Sequence, residues 1–254
     1  MTGSEALRFA HQLLAERTTS RRAEHTEDPS RPETVQAMQI ALHIPRVDPP
    51  PRTALLEAAA RAVVLVCLDP RVAVEEQWRN GVTTWYDHLI RKVVRRARNK
   101  QWEDAQGVPG VTASVAGAEA RAFLPGAVSD VPPAVKKLQI QGTDLPADPG
   151  SGIMGAAAWP MILLNADLGM SVGKAAAQAG HASMLLAAQL DFNPVREWAE
   201  QGFALTVREL PGPEFHSWAG RSGVVPVRDA GFTEVAPDAL TALAVPAADR
   251  SLKC

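Results

Sequence analysis

The chain has 254 residues, 46% of them hydrophobic, and a formal net charge of -2, a globular composition with room for one large domain or two small ones. No apolar run is long enough to span a bilayer, and residues 1–20 carry charges where a secretion signal would place its apolar core, so the expected address is the cytoplasm with no membrane contact. Cys67 sits in an apolar run and Cys254 is the last residue, which argues against a disulfide framework. No Cys/His cluster suggests zinc, and a near-neutral balance excludes only a uniformly basic nucleic-acid binder, since a local basic face can hide within it.

In chain order, residues 5–17 carry Ala6, Leu7, Phe9, Ala10, Leu13 and Leu14 at helical spacing, and residues 18–33 read as a polar linker. Residues 35–44 suggest a short helix stopped by Pro45, followed by a stiff proline-rich connection over 47–52. Residues 53–61 read as a helix leading into a buried strand over 62–68. A long helix is expected over 74–98, with Trp78, Val82, Trp85, Leu89, Val93 and Val94 on its apolar face. Its end is basic, with Arg91, Lys92, Arg95, Arg96, Arg98 and Lys100 forming either a solvated face or an RNA-phosphate contact. Residues 111–116 suit a strand, 118–124 a short helix and 137–141 another strand, before a Pro/Gly/Asp-rich linker over 146–157.

The second half has a sharper signature. Residues 159–190 read W-P-M-I-L-L-N-A-D-L-G-M-S-V-G-K-A-A-A-Q-A-G-H-A-S-M-L-L-A-A-Q-L, a strand over 161–164, a polar turn and an Ala-rich helix over 171–190. Lys174, Gln178 and His181 are four and three positions apart, so the helix puts them on one stripe. A strand over 203–210, a short helix over 213–219 and a strand over 224–227 follow. Then comes an Asp229-Ala230-Gly231 turn and a last strand. Pairing Asp69 with Asp167 and Trp102 with Trp198 gives offsets of 98 and 96 residues, which suggests a diverged internal duplication. In that alignment Lys174 is matched near Glu76 and the Asp-Ala-Gly turn by Gln141-Gly142-Thr143, so the first copy lacks the chemistry.

The two motifs D-L-G-M-S-V-G-K-A-A-A-Q-A-G-H-A and V-V-P-V-R-D-A-G-F-T, in this order, resemble the second class of peptidyl-tRNA hydrolases, the archaeal and eukaryotic type, over roughly residues 160–246. The resemblance implies an α/β fold with a mixed β-sheet and helices on both faces, and the offsets suggest its duplication as a pseudo-dimer within one chain. The expected divisions are residues 1–52 (helix and linker), 53–145 (degenerate domain), 146–157 (linker), 158–247 (hydrolase-like domain) and 248–254 (tail). It implies hydrolysis of the peptidyl-tRNA ester without metal or organic cofactor, with Lys174, Gln178, His181, Asp229 and Thr233 lining the cleft.

Ester hydrolysis needs a positioned water, a stabilised oxyanion and a grip on phosphates. The helix start at 171–174 offers backbone N–H groups and a positive dipole end, and Lys174 adds a mobile cation. Asp229, projecting from a strand end, can orient Lys174 or serve as base, and Thr233 can join the same water network. Gln178, His181, Gly173 and Gly231 are expected at the substrate, His181 more as a structural group than a base. The bland alternatives are a solvated Lys174, a groove-capping Gln178, a core His181, an Asx turn at Asp229 and a satisfied strand Thr233.

Departures from the family pattern are specific. Gly169 and Val172 stand where lysines are common, Phe232 where a basic residue follows the Asp-Ala-Gly turn, Glu234 where a glutamine is usual, and residues 243–246 replace a Gly-rich ending. The depleted basic rim keeps open two rivals: a non-catalytic descendant binding RNA, nucleotide or protein, and a hydrolase of another ester or amide conjugate.

Overall fold

The computed structural model describes residues 1–19, 27–148, 159–231 and 233–247. Its first unit runs α1 (Gly3–Thr19), β1 (Gln36–His43), α2 (Arg52–Cys67), α3 (Arg71–Val74), α4 (Glu76–Tyr86), β2 (Arg91–Ala97) and α5 (Asn99–Gln106). It continues with β3 (Gly110–Val115), β4 (Ala118–Phe123), the two-residue β5 (Gly126–Ala127) and α6 (Pro133–Lys136). The second runs β6 (Met161–Asn165), α7 (Val172–Gln189), α8 (Phe192–Glu200), β7 (Thr206–Leu210), α9 (Gly212–Trp218), β8 (Val225–Arg228) and β9 (Leu240–Val245).

The two sheets share one wiring. The first has order β2-β1-β4-β3, with β5 added on β1, and the second β7-β6-β9-β8. In each, the first two strands in sequence pair in parallel and the remaining ladders are antiparallel. The matching elements lie farther apart than the 96–98 residues read from Asp and Trp positions: Arg52 to Val172, the helix starts, is 120 residues, and Gly110 to Val225, the third strands, is 115. The earlier alignment fails because Trp102 and Trp198 mark non-equivalent helices, α5 and α8.

Several expected elements of the first half change type. The helix expected over 35–44 is strand β1, whose residues are nearly all buried because it is central and covered on both faces. Met38, Ile40 and Leu42 face the main core, and Ala41 faces a smaller one with Trp102 and Phe123. The strand expected over 62–68 is the second half of α2. That helix is buried almost all round, so a β-branched stretch carries no cost in strand-like appearance.

The helix expected to reach residue 98 stops at Tyr86. Ile90 turns the chain in the left-handed region (φ 51°), and the basic residues then form β2, an edge strand paired with β1. Charged side chains on an edge strand also discourage further pairing. The helix expected over 118–124 is β4, joined to β3 by the two-residue Ala116-Gly117 turn, both residues at positive φ as a tight hairpin requires. Of the strand expected over 137–141, a single antiparallel bridge from Gln139 to Arg96 forms.

In the second half the strand over 161–164, the helix over 171–190 and the later strands stand where expected, with α8 as an additional helix. The linker reading of 146–157 and the tail reading of 248–254 lie almost wholly outside the described residues.

α2 and α7 pack along one another between the two sheets, each lying on its own sheet and reaching β7 or β2 of the other unit. Gly180 makes the close crossing possible: a Cβ there would lie 2.7 Å from Val63 Cγ2. Ser183 Oγ donates to Ala60 O at 2.8 Å across the same contact. One apolar core therefore contains residues of both halves, while α5 with α6, and α9, cover the outer faces. Helices thus cover both faces of each sheet. The first sheet also takes in β1, upstream of the expected start at residue 53. α1 closes the far end of α7, where His11 Nε2 lies 3.0 Å from both Ala187 O and Leu190 O, as a donor shared by two terminal carbonyls. Among the described residues no helix is long and apolar enough to cross a membrane.

Candidate active site

α7 begins at Ser171, whose Oγ accepts the Lys174 N–H at 3.1 Å as an N-cap. The expected supply of open amides at this helix start is largely used up. Gly173 N–H donates to Thr143 Oγ1 at 3.1 Å, and Ser171 donates through N and Oγ to the Glu234 carboxylate at 3.0 and 2.9 Å. Glu234 thus places an anion on the positive end of the helix, where an oxyanion or phosphate was expected. What projects from the helix start is the Lys174 side chain.

Asp229 follows β8 directly. The β8–β9 register shifts between Val227 and Arg228, and the backbone of Asp229 remains tied to the returning chain by Asp229 N–H to Ala239 O (3.0 Å) and Asp238 N–H to Asp229 O (2.7 Å). The loop between them is closed at its neck, so the carboxylate is fixed by the strand end. Its Oδ1 accepts Gly231 N–H at 2.8 Å, the Asx turn foreseen as the bland alternative. Gly231 has φ 78°, and a Cβ there would lie 2.5 Å from Pro237 Cγ, so the turn excludes any side chain.

The other carboxylate oxygen does different work. Asp229 Oδ2 accepts Lys174 Nζ at 2.5 Å and Gln178 Nε2 at 2.6 Å, and Lys174 Nζ lies 3.3 Å from Thr233 Oγ1. Residues 55 apart in sequence are thereby joined in a pair whose side chains are each 9% exposed. Gln178 is oriented in turn by Thr241, a fully buried residue of β9 whose Oγ1 donates to Gln178 Oε1 at 2.8 Å. That bond decides which end of the amide faces Asp229. Thr233 is exposed, so the pair opens to solvent on that side.

The structure therefore joins Lys174, Gln178, Asp229 and Thr233 in one hydrogen-bonded set, with Gly231 shaping the turn and Gly173 inside the helix start. His181 lies half-buried farther along α7. Thr241, Glu234 and Thr143 were not foreseen. Thr241 is a lone hydroxyl in the apolar run L-T-A-L-A-V, which is the signal that could have marked it.

Chemically, an ammonium has three donors and a carboxylate about four acceptor positions. Among the described residues Asp229 uses one position on Oδ1 and two on Oδ2, and Lys174 uses two donors, which leaves one donor and one acceptor position. A held cation beside a carboxylate with spare acceptor capacity suits stabilisation of an oxyanion and orientation of a water.

Comparison with known proteins addresses this half of the chain. The family model "Peptidyl-tRNA hydrolase PTH2" matches residues 160–253. A protein named peptidyl-tRNA hydrolase from Methanopyrus kandleri is 38% identical over 93 residues, which cover 34% of this chain and 80% of that one. The matched region contains every residue of the Lys174–Asp229 set together with the sheet and helix that hold it, and the chain belongs to the peptidyl-tRNA hydrolase PTH2 family.

Proposed function

We propose that the chain hydrolyses the ester joining a peptide to the terminal ribose of tRNA, releasing the peptide and free tRNA. The observation that carries this reading is the 2.5 Å contact between Lys174 and Asp229, built from the two motifs that the family match spans. Lys174 presents its remaining proton to the oxygen that gains charge as water adds to the ester carbonyl. Asp229 holds Lys174 in place through Oδ2 and offers the outer lone pair of Oδ1 to the attacking water, with Thr233 as a further partner. When the C–O bond breaks, the ribose oxygen takes up a proton, and water is consumed as one hydroxyl and one carboxyl are formed. Gln178, locked by Thr241, keeps the carboxylate oriented, His181 and Gly231 shape the surface the substrate meets, and the buried Gly173 lets Thr143 close on the helix start.

Two further readings belong with this one. The chain is an internal pseudo-dimer whose first unit, residues 36–148, is a degenerate copy of residues 159–247. The identical strand order and the reciprocal packing of α2 and α7 support this. Where α7 carries Lys174 and Gln178 at its third and seventh positions, α2 carries Ala54 and Ala58, so the first copy has no counterpart of the pair. A protein that works on tRNA in translation also fits a cytoplasmic address.

The test is release of free tRNA from purified peptidyl-tRNA by the full chain. Lys174→Ala and Asp229→Ala are each expected to lower kcat/KM by at least about a hundredfold, the scale of losing one oxyanion donor. Because the pair is nearly buried, removing one partner also costs about 3 kcal/mol, so folding is checked by circular dichroism. Release by either folded variant at the parent's rate would end the proposal.

A further inference from the structure

Around the start of the helix that carries Lys174 stand the uncharged Gly169, the buried Val172 and the anionic Glu234. The first half brings further arginines towards this site. β2 passes the start of α7, since a Cβ on Gly173 would lie 3.7 Å from Val94 Cβ and 3.3 Å from Thr143 Oγ1. Two residues beyond Val94, Arg96 donates through Nη1 to Gly142 O at 2.6 Å, and the next residue, Thr143, accepts the Gly173 N–H at 3.1 Å. Strand and loop therefore lead from the same arginine-bearing edge to the residue beside Lys174.

Among the described residues, the arginines on this edge are held by uncharged partners. Arg95 donates to Gln39 Oε1 at 2.8 Å and Leu138 O at 3.0 Å, Arg96 to Gly142 O and Gln139 Oε1, and Arg98 to Ile44 O at 2.8 Å. All these acceptors are uncharged. By contrast, neighbouring Arg91 pairs with Glu27 at 2.6 Å, and Lys100 and Lys137 pair with Asp104 at 3.0 and 2.9 Å. Arg98 reaches Ile44 O, two residues before the exposed Arg46, and Arg96 stands opposite Leu42 on β1, so the three share one end of the β1–β2 pair. Burial, then the charges of Arg96 and Arg46, push the Arg98 guanidinium below its usual value. Arg95, Arg96 and residues 138–142 line an open concavity of about 710 Å³. Guanidinium groups fixed by neutral acceptors suit phosphate oxygens.

We infer that the catalytically silent first half is the nucleic-acid platform of the second: Arg46, Arg95, Arg96 and Arg98 bind the sugar-phosphate backbone of the tRNA whose ester end meets Lys174 and Asp229. The inference rests on the hydrolase reading for the identity of the RNA, and on the charge cluster for its location.

The experiment compares the full chain with the double variant Arg96→Gln/Arg98→Gln. Hydrolysis of N-acetyl-aminoacyl-tRNA and binding of deacylated tRNA by fluorescence anisotropy are followed across a salt series. KM and the tRNA Kd are expected to rise about tenfold with kcat retained, and the slope of log Kd against log salt to become shallower by about 1.5 to 2. Arg46→Glu, at an exposed position, is expected to move both in the same direction should the double variant fold poorly. Unchanged KM, Kd and salt slope in a folded variant overturn the platform and leave the hydrolase reading intact. Salt-dependent tRNA binding lost in the variants, with no peptide released even by the parent, keeps the platform and removes the hydrolase reading.

Discussion

Asp229 shows how one side chain satisfies a structural and a chemical demand together. Its Oδ1 closes the turn through Gly231 N–H, and its Oδ2 receives Lys174 and Gln178. The turn bond fixes the carboxylate plane, so Lys174 meets a stationary acceptor. Thr241 extends this control one step inward. Its hydroxyl is buried and holds the Gln178 amide, so Thr241→Val, which keeps shape and removes the donor, leaves Gln178 Oε1 without that partner. A buried acceptor losing its donor costs about 1–3 kcal/mol, and kcat is expected to fall about tenfold with KM little changed. Steady-state kinetics with a urea unfolding curve for the same variant check both numbers. A variant less stable but fully active would make Thr241 a packing residue alone.

Among elements, the pairing of α2 with α7 organises the molecule, and small residues set its distance. Gly180 lets Val63 approach to where a Cβ would be 2.7 Å away. Gly180→Ala is expected to destabilise the protein by about 1–3 kcal/mol, because Val63 or a helix axis must shift. Adding Val63→Ala removes the clash, so the double variant is expected to be more stable than the sum of the two single losses. Urea denaturation of the three variants measures the coupling, and strict additivity would mean the helices are not in the contact described. The same helix pair carries β2 of one unit past the start of α7 in the other, which is how an edge strand of the first unit comes to lie beside the Lys174–Asp229 set.

For the molecule as a whole, two sheets built around one core should open together. Cys67 is a reporter for this: it ends α2 with no exposed surface, and burial pushes its thiol up to about 11. At pH 8 the group is therefore an uncharged thiol shielded from reagent, and thiolate attack requires both opening and ionisation. Alkylation of Cys67, located by peptide mass mapping, is expected to be negligible in the native protein and to rise along the same urea curve as loss of helical signal. Rapid labelling before that transition would show that the first half opens independently of the second.

The second half was legible because its signals are local. A capping Ser171, an Ala-rich helix, three polar residues at helical spacing and an Asp-Ala-Gly turn each act within a few residues, and the resemblance to peptidyl-tRNA hydrolases lay in those same stretches. In the first half, the basic run of β2 and the alternating A-E-A-R-A-F of β4 have little local preference, and the Val-rich end of α2 leans towards strand. Pairing with β1 and burial against α7 settle all three from afar. Sequence by itself determined the family, the helix stripe and the identity of the cation and carboxylate. Only the tertiary structure decided that Glu234 and Thr143 occupy the helix amides, that Thr241 orients Gln178, and that the basic segment is a strand at the site's flank. Each of those depends on contacts between groups remote in the chain, which local chemistry permits without selecting.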